Sequence, residues 1–149
     1  MRTPRGEADV LADLAGRMDL VLIDAPCTGT GAWRRNPDAK WRVRPGALAQ
    51  RLQQQQALLD RGAALLKAGG RIVYITCSVL AEENTDQIQT FLERHGDFAV
   101  VPPREFVGAA LGERGALFCH AASLSREGVL MTPGMTDTDG FFVAVLHKA

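Results

Sequence analysis

Cysteine is scarce in this sequence, three residues in 149, and no apolar run approaches the roughly 20 residues that a membrane span requires. No apolar stretch follows a basic start in the manner of a secretory signal. These absences argue against a disulfide scaffold and against a membrane partner, and they predict a reducing, cytoplasmic setting. An excess of either charge is also missing. With 17 Lys and Arg against 17 Asp and Glu, affinity for nucleic acid has to come from a local patch, because the overall field gives no help. There is no heptad, no repeat period and no low-complexity tract apart from Gln53 to Gln56, which falls inside a helical pattern and reads as its wet face. What is present is a chain with 46% hydrophobic residues, long enough for one compact domain around one core.

The apolar pattern gives the organisation. Asp19 to Asp24 (DLVLID) is a continuous apolar run between charged ends, which predicts a strand buried on both faces of a parallel sheet. Apolar residues at 48, 52, 59, 63 and 66 follow a helical period, and Gly69-Gly70 is expected to cap that helix. A second strand, Arg71 to Ile75, breaks into Thr76-Cys77-Ser78-Val79. Glu82 and Glu83 then suit the positive end of a helix that turns Ile88, Phe91 and Leu92 inward. Phe98 to Val101, Val129 to Met131 and Phe141 to His147 read as later strands, the last one following the turn signal Asp137 to Gly140. Pro102-Pro103 opens a stretch, up to Arg126, with no clear period. The reading is therefore α/β, with a βαβα unit over 19–101, a loop and carboxyl-terminal strands over 102–149, and an amino-terminal remnant over 1–18 in which Ala8 to Leu14 reads as helix or turn.

A right-handed crossover makes the first two strands parallel neighbours. Chemistry in open α/β sheets gathers beyond the carboxyl ends of the strands, and those ends are Asp24-Ala25-Pro26-Cys27 and Thr76-Cys77-Ser78. A lone cysteine at such a place is most simply a small buried hydrophobe, but here two meet. Cytosine C5 is a weak nucleophile, and a thiolate that adds to C6 creates an enamine able to accept a methyl group at C5. A base then removes the C5 proton and the thiolate leaves by elimination, a step that a second thiol or a water could serve. A redox use of the pair is disfavoured, because the two cysteines are far apart in sequence and not in a C-x-x-C helix start.

The patch lies between the first strand and its helix. From Trp33 to Arg44 there are Arg34, Arg35, Lys40, Arg42 and Arg44 against the single acid Asp38, with Trp33 and Trp41 interleaved. Such residues pair with phosphates and stack on bases splayed out of a loop; the plain alternative is a solvated connection with two core anchors. Its position at the crevice rim, where a flipped base would be held, favours RNA. Cys119 and His120 have no third ligand at metal spacing, so no metal site is expected and Cys119 reads as a buried small residue.

Taken in order, Asp24-Ala-Pro-Cys27-Thr-Gly-Thr-Gly31, Arg34-Arg35-Asn36-Pro37-Asp38 with Lys40-Trp41, Tyr74-Ile-Thr-Cys77-Ser-Val79 and the closing Thr136 to Ala144 resemble the NOL1/NOP2/Sun family of RNA 5-methylcytosine methyltransferases. Within it, the chain looks like the bacterial Sun or Fmu type acting on 16S ribosomal RNA. The resemblance covers most of the chain, weakly between Pro102 and Arg126. It implies the carboxyl-terminal half of a class I, Rossmann-like methyltransferase sheet that uses S-adenosylmethionine. It further implies that Cys77 attacks C6 of the cytosine and that Cys27 assists breakdown of the adduct. Asp24 matches the acid near the methionine end of the cofactor and the flipped base; a cap on the amides of Thr28 to Gly31 is its simpler role. Pro26 would fix the turn that presents the thiol, while Gly29 and Gly31 either admit close backbone approach or are turn glycines only. A DNA cytosine methyltransferase would use the Pro-Cys thiol as nucleophile, and Cys77 argues against that.

The family pattern departs at the front. A complete domain carries a G-x-G-x-x-G turn against the cofactor, and none occurs here. The expectation is an apolar edge left open along DLVLID, covered by a homodimer, an element swap or the first 18 residues. Alternatively the chain is a catalytically silent fragment or RNA-binding module that keeps only the base-side half of the site.

Overall fold

The computed structural model describes residues 11, 13–42 and 44–149. Most of the expected helix or turn over Ala8 to Leu14 lies outside them. A parallel pair, β1 (Met18–Asp24) and β2 (Leu66–Thr76), is joined by the 19-residue helix α2 (Ala47–Leu65), which is preceded by the short α1 (Ala39–Arg42). β2 pairs antiparallel with β6 (Phe141–Lys148). The other edge of β6 takes β5 (Val129–Met131) at one end and β3 (Phe98–Val100) at the other, and β4 (Ser123–Leu124) pairs with β5. The sheet therefore runs β1-β2-β6-β5-β4, with β3 beside β6.

The core lies where α2 and α3 (Thr85–Arg94) cover the sheet. Leu59, Ile72, Tyr74, Ile88, Phe91, Ala144 and Leu146 are all fully buried there. Gly62 allows α2 to lie close on β1, since a Cβ at that position would meet the Ile23 side chain at 3.0 Å and Val21 at 3.4 Å. The stretch without a clear period folds as α4 (Pro103–Leu111) and α5 (Gly115–Ala121), which enclose a second small cluster of Val107, Cys119, Ala122 and Val129. A short α6 (Pro133–Thr136) precedes β6.

Three expectations are corrected. The helix ends at Leu65, and the chain passes directly into extended backbone at Leu66. Gly69 (φ 78°) and Gly70 serve an irregularity in the β1–β2 pairing, and Gly70 abuts Lys67 and Met18 carbonyls too closely for a side chain. The strand β1 is not buried on both faces. Ile23 is buried against α2, but Leu20 and Leu22 are 57% and 63% exposed, because β1 is the end strand and no described helix covers its other face. Finally, Gln55 in the glutamine tract is fully buried rather than wet.

Candidate active site

The parallel pairing of Asp24 with Ile75 carries β1 and β2 to the same edge, so the two chains leave the sheet side by side. The amide of Ala25 still donates to the Ile75 carbonyl at 2.9 Å. Just beyond, the sulfurs of Cys27 and Cys77 stand 3.3 Å apart, both half-buried. The two strand-end cysteines that the topology was expected to join are thus in hydrogen-bond contact.

Electrostatics separate the two thiols. The hydrogen bond received from Cys27 is the main cause that brings Cys77 down to about 7, partly opposed by burial and by the nearby Asp24 and Glu83 carboxylates. The same bond, together with burial, pushes Cys27 well up. A pair that shares one proton favours the thiolate on one sulfur and the thiol on the other. The arrangement supplies a nucleophile at neutral pH with a proton-bearing neighbour in contact.

The turns around both cysteines are closely held. The Glu83 carboxylate, fully buried, accepts the Thr28 amide at 2.9 Å, the Thr28 hydroxyl at 2.6 Å and the Gln55 side-chain amide at 3.1 Å. Gln55 also donates to the Pro26 carbonyl at 3.0 Å, and the Tyr74 hydroxyl donates to the Glu83 carbonyl at 2.8 Å. Asn84 accepts the Thr76 hydroxyl at 2.6 Å and donates to the Ser78 carbonyl at 2.9 Å. The loops also touch each other: Thr30 and Ser78 hydroxyls lie 3.0 Å apart, and the Gly31 amide donates to the Cys77 carbonyl at 3.0 Å. Gly31 packs on Gly140 so closely that an added Cβ would overlap the Gly140 carbonyl oxygen, so its close-approach role is structural fact rather than turn preference alone.

The remaining sequence-derived residues fall around this centre. Asp24 is exposed at the end of β1 and lines an apolar groove of about 240 Å³ with Leu11, Leu22 and Leu58. The capping role considered for it goes elsewhere, the Thr28 amide to Glu83 and the Gly31 amide to Cys77. Arg35 is bonded through Nε to Asp139, whose side chain is 6% exposed, and Arg34 lies 3.8 Å from the exposed Asp137. Both arginines keep much of their surface in solvent. Lys40 sits over the Trp41 ring at 4.9 Å, and Trp41 is 81% exposed, whereas Trp33 is half-buried. The basic loop thus offers one exposed indole, and Trp33 behaves as an anchor. Cys119 is buried in the second cluster.

Sequence reasoning missed Glu83, Asn84 and Gln55. Glu83 was assigned to the helix dipole, yet it makes no cap and turns into the Cys27 loop, while Glu82 remains in solvent. The signal available was weak: a charged residue six positions past a strand-end cysteine looks the same whether it faces out or in.

The family model described as 16S rRNA methyltransferase RsmB/F matches residues 5–147. Ribosomal RNA small subunit methyltransferase B of Salmonella paratyphi B is 43% identical over 132 residues, which are 89% of this chain and 27% of that protein. The crystal structure of PH0851 superimposes with a TM-score of 0.75 at 35% identity, covering 90% of this chain and 27% of that one. A methyltransferase homolog protein from Pyrococcus horikoshii gives a TM-score of 0.63 at 27% identity, covering 93% and 42%. The chain spans about a quarter of the length of the curated relatives it matches.

Proposed function

Because the chain belongs to the 16S rRNA methyltransferase RsmB/F family and shares the Rossmann-like α/β sheet of its structural neighbours, we propose that it forms the base-reacting part of an S-adenosylmethionine-dependent RNA cytosine-C5 methyltransferase. Its substrate in this reading is ribosomal RNA, held through a covalent bond between Cys77 and C6 of the target cytosine. The observation that carries the reading is the thiol pair, 3.3 Å apart, with Cys77 brought down to about 7.

The chemistry follows from that pair. The Cys77 thiolate adds to C6, the 5,6 double bond opens, and electron density builds at C5. S-adenosylmethionine, when bound, supplies the electrophilic methyl group. In this chain Asp24, an exposed carboxylate beside an apolar groove, suits the cationic methionine end of such a group, and the glycine-rich turn that would hold the remainder is not in this sequence. Once Cys77 has become a thioether it no longer stabilises the proton on Cys27, so the main cause holding Cys27 up disappears. Cys27 can then lose its proton to water, take the C5 proton, and let Cys77 leave as thiolate. Arg34, Arg35 and Lys40 would hold the RNA backbone and Pro26 the flipped base, at the rim from which a cytosine must enter.

In a polypeptide of the relatives' full length carrying this segment, Cys77→Ala abolishes both methyl transfer and the covalent RNA adduct. Cys27→Ala lets the adduct accumulate as a retarded band in a denaturing gel. Exchanged outcomes reverse the two roles, and methyl transfer that survives Cys77→Ala ends the reading.

A second reading makes this chain, by itself, a catalytically silent fragment or RNA-binding module. It is favoured by the exposure of Leu20, Leu22 and Asp24, which leaves the cofactor side of β1 open among the described residues. Calorimetric titration of the chain with S-adenosylmethionine separates the two, since near-micromolar binding contradicts the half-site reading. The three free thiols suit a cytoplasmic setting, and no helix among the described residues is long and apolar enough to cross a membrane.

A further inference from the structure

Glu83 and Asn84 are adjacent in the turn before α3, exposed by only 0% and 2%. Each reaches a different cysteine loop. Glu83 holds Thr28 by its amide and its hydroxyl, and through Gln55 it is linked to the Pro26 carbonyl, so the residues on both sides of Cys27 are fixed. Asn84 holds the Thr76 hydroxyl and the Ser78 carbonyl, so the residues on both sides of Cys77 are fixed as well. Burying a carboxylate is costly and is tolerated where several donors converge on it. An acid serving only the dipole of α3 could have stayed in solvent, as Glu82 does.

We propose that Glu83-Asn84 is a positioning pair, which sets the distance between the two cysteine loops and so holds Cys27 within hydrogen-bond reach of Cys77. The inference rests on reading the two thiols as the reaction centre. Neither residue touches a reacting atom in this arrangement; they act through the loops. Two neighbouring residues on one rigid turn are well suited to this, because a shift of either loop relative to the other requires breaking bonds to the same short segment.

The test uses the chain as it stands, with residue-resolved iodoacetamide alkylation of Cys77 as a function of pH and a circular-dichroism melt for each variant. In the unsubstituted chain the alkylation midpoint is expected at about 7. Glu83→Ala also removes a charge opposing the thiolate, but it frees Thr28 and Gln55 and the thiols separate, so against Glu83→Gln, which removes the same charge, the midpoint rises by about one pH unit or more toward the ordinary thiol range. Glu83→Gln keeps the shape: its oxygen can accept the Thr28 amide and its NH₂ can donate to the Thr28 hydroxyl, so the midpoint stays or falls as a charge opposing the thiolate is removed. A rise in one substitution of a residue and none in the other, with both chains folded, is not expected of a group that merely stabilises the fold. A folded Glu83→Ala chain whose Cys77 still titrates at about 7 overturns the proposal.

If Glu83→Ala loses its cooperative melt, Thr28→Val removes the hydroxyl contact alone. Its Cys77 midpoint is expected to move in the same direction by a smaller step, and an unmoved midpoint again overturns the proposal. The assay needs neither RNA nor methyl donor. Failure of the methyltransferase reading would leave these profiles intact, and failure of the positioning role would leave methyl transfer to be judged separately.

Discussion

The thiol end of β1 and β2 and the outer side of β1 are built differently. At the thiol end the polar groups of both loops find partners within this chain, down to a buried carboxylate with three donors. On the outer side of β1, a few residues away, Leu20 and Leu22 lie more than half exposed beside their strand partners Arg71 and Val73, whereas Ile72 and Tyr74, on the other face of β2, are fully buried. The difference teaches that hydrogen bonds among the described residues of this chain hold the two cysteine loops. The outer side of β1 is a surface whose covering is not found among the described residues.

The widest separation between the two regions should be in stability. Ile72→Ala removes a fully buried side chain from the main cluster and is expected to cost about 2–5 kcal/mol. Leu20→Ala, close by on β1, should change stability by no more than about 0.5 kcal/mol. Urea unfolding of the two variants checks this, and equal losses would mean that the Leu20 face is covered in solution.

A smaller effect concerns the basic loop, where Arg35 also has a partner within the chain. Asp139 is almost wholly buried, and one of its oxygens has no partner, so Arg35 is its main compensation. Arg35→Ala should therefore destabilise the chain by about 1–3 kcal/mol. Arg34→Ala, whose partner Asp137 is exposed, should leave the melt almost unchanged. If Arg35→Ala instead leaves stability intact and weakens RNA binding, Arg35 is a phosphate contact first and a structural tie second.

What could be read from the sequence follows from the same contrast. The βαβα order, the parallel pairing and the meeting of Cys27 with Cys77 were legible because they depend on apolar periodicity and on topology, which constrain residues far apart in the chain. The helices α4 and α5 were not legible. Pro102-Pro103 looked like a loop entry, whereas Pro103 is the first residue of α4, a position proline tolerates because the amide there has no helical partner. Gln55 and Glu83 were misread for a further reason. Polar residues are ordinarily assigned to solvent, and here the Glu83 carboxylate and the Gln55 amide nitrogen are compensated by each other and by Thr28 and Pro26, although the Gln55 oxygen has no partner. No local pattern announces that mutual satisfaction. The exposure of Leu20 and Leu22 shows the reverse case, in which an apolar run predicts burial that the described residues do not provide.

The asymmetry of the thiols gives a prediction of about one pH unit. Cys77 is brought down chiefly by the bond from Cys27, so its thiolate, and with it alkylation by iodoacetamide, should rise through about 7 and level off above that. Cys27→Ala removes the donor, and the profile should move upward, lowering reactivity at neutral pH without a matching change in the melt. A profile that does not move would assign the low value of Cys77 to its own turn instead of to its partner. That outcome would weaken the claim that the thiol end works as a unit.

The smallest effect is expected at the β1 edge. An apolar strand whose outer edge has no partner among the described residues invites a second strand, and here the available partner in a purified sample is the same edge of another copy. The contact would involve one short strand and a few side chains from each copy, less than a stable interface normally buries. Association should therefore be weak, visible in sedimentation only as the concentration is raised. Leu20→Lys with Leu22→Lys should abolish it, because opposed lysines across a two-fold contact repel and must be desolvated. The melt and the Cys77 alkylation profile should stay as they were, since neither leucine belongs to the buried cluster or to the loop network. A strictly monomeric chain with slow amide exchange along β1 would show that the edge is already covered from within, and the contrast between the two regions would then apply only to the described residues.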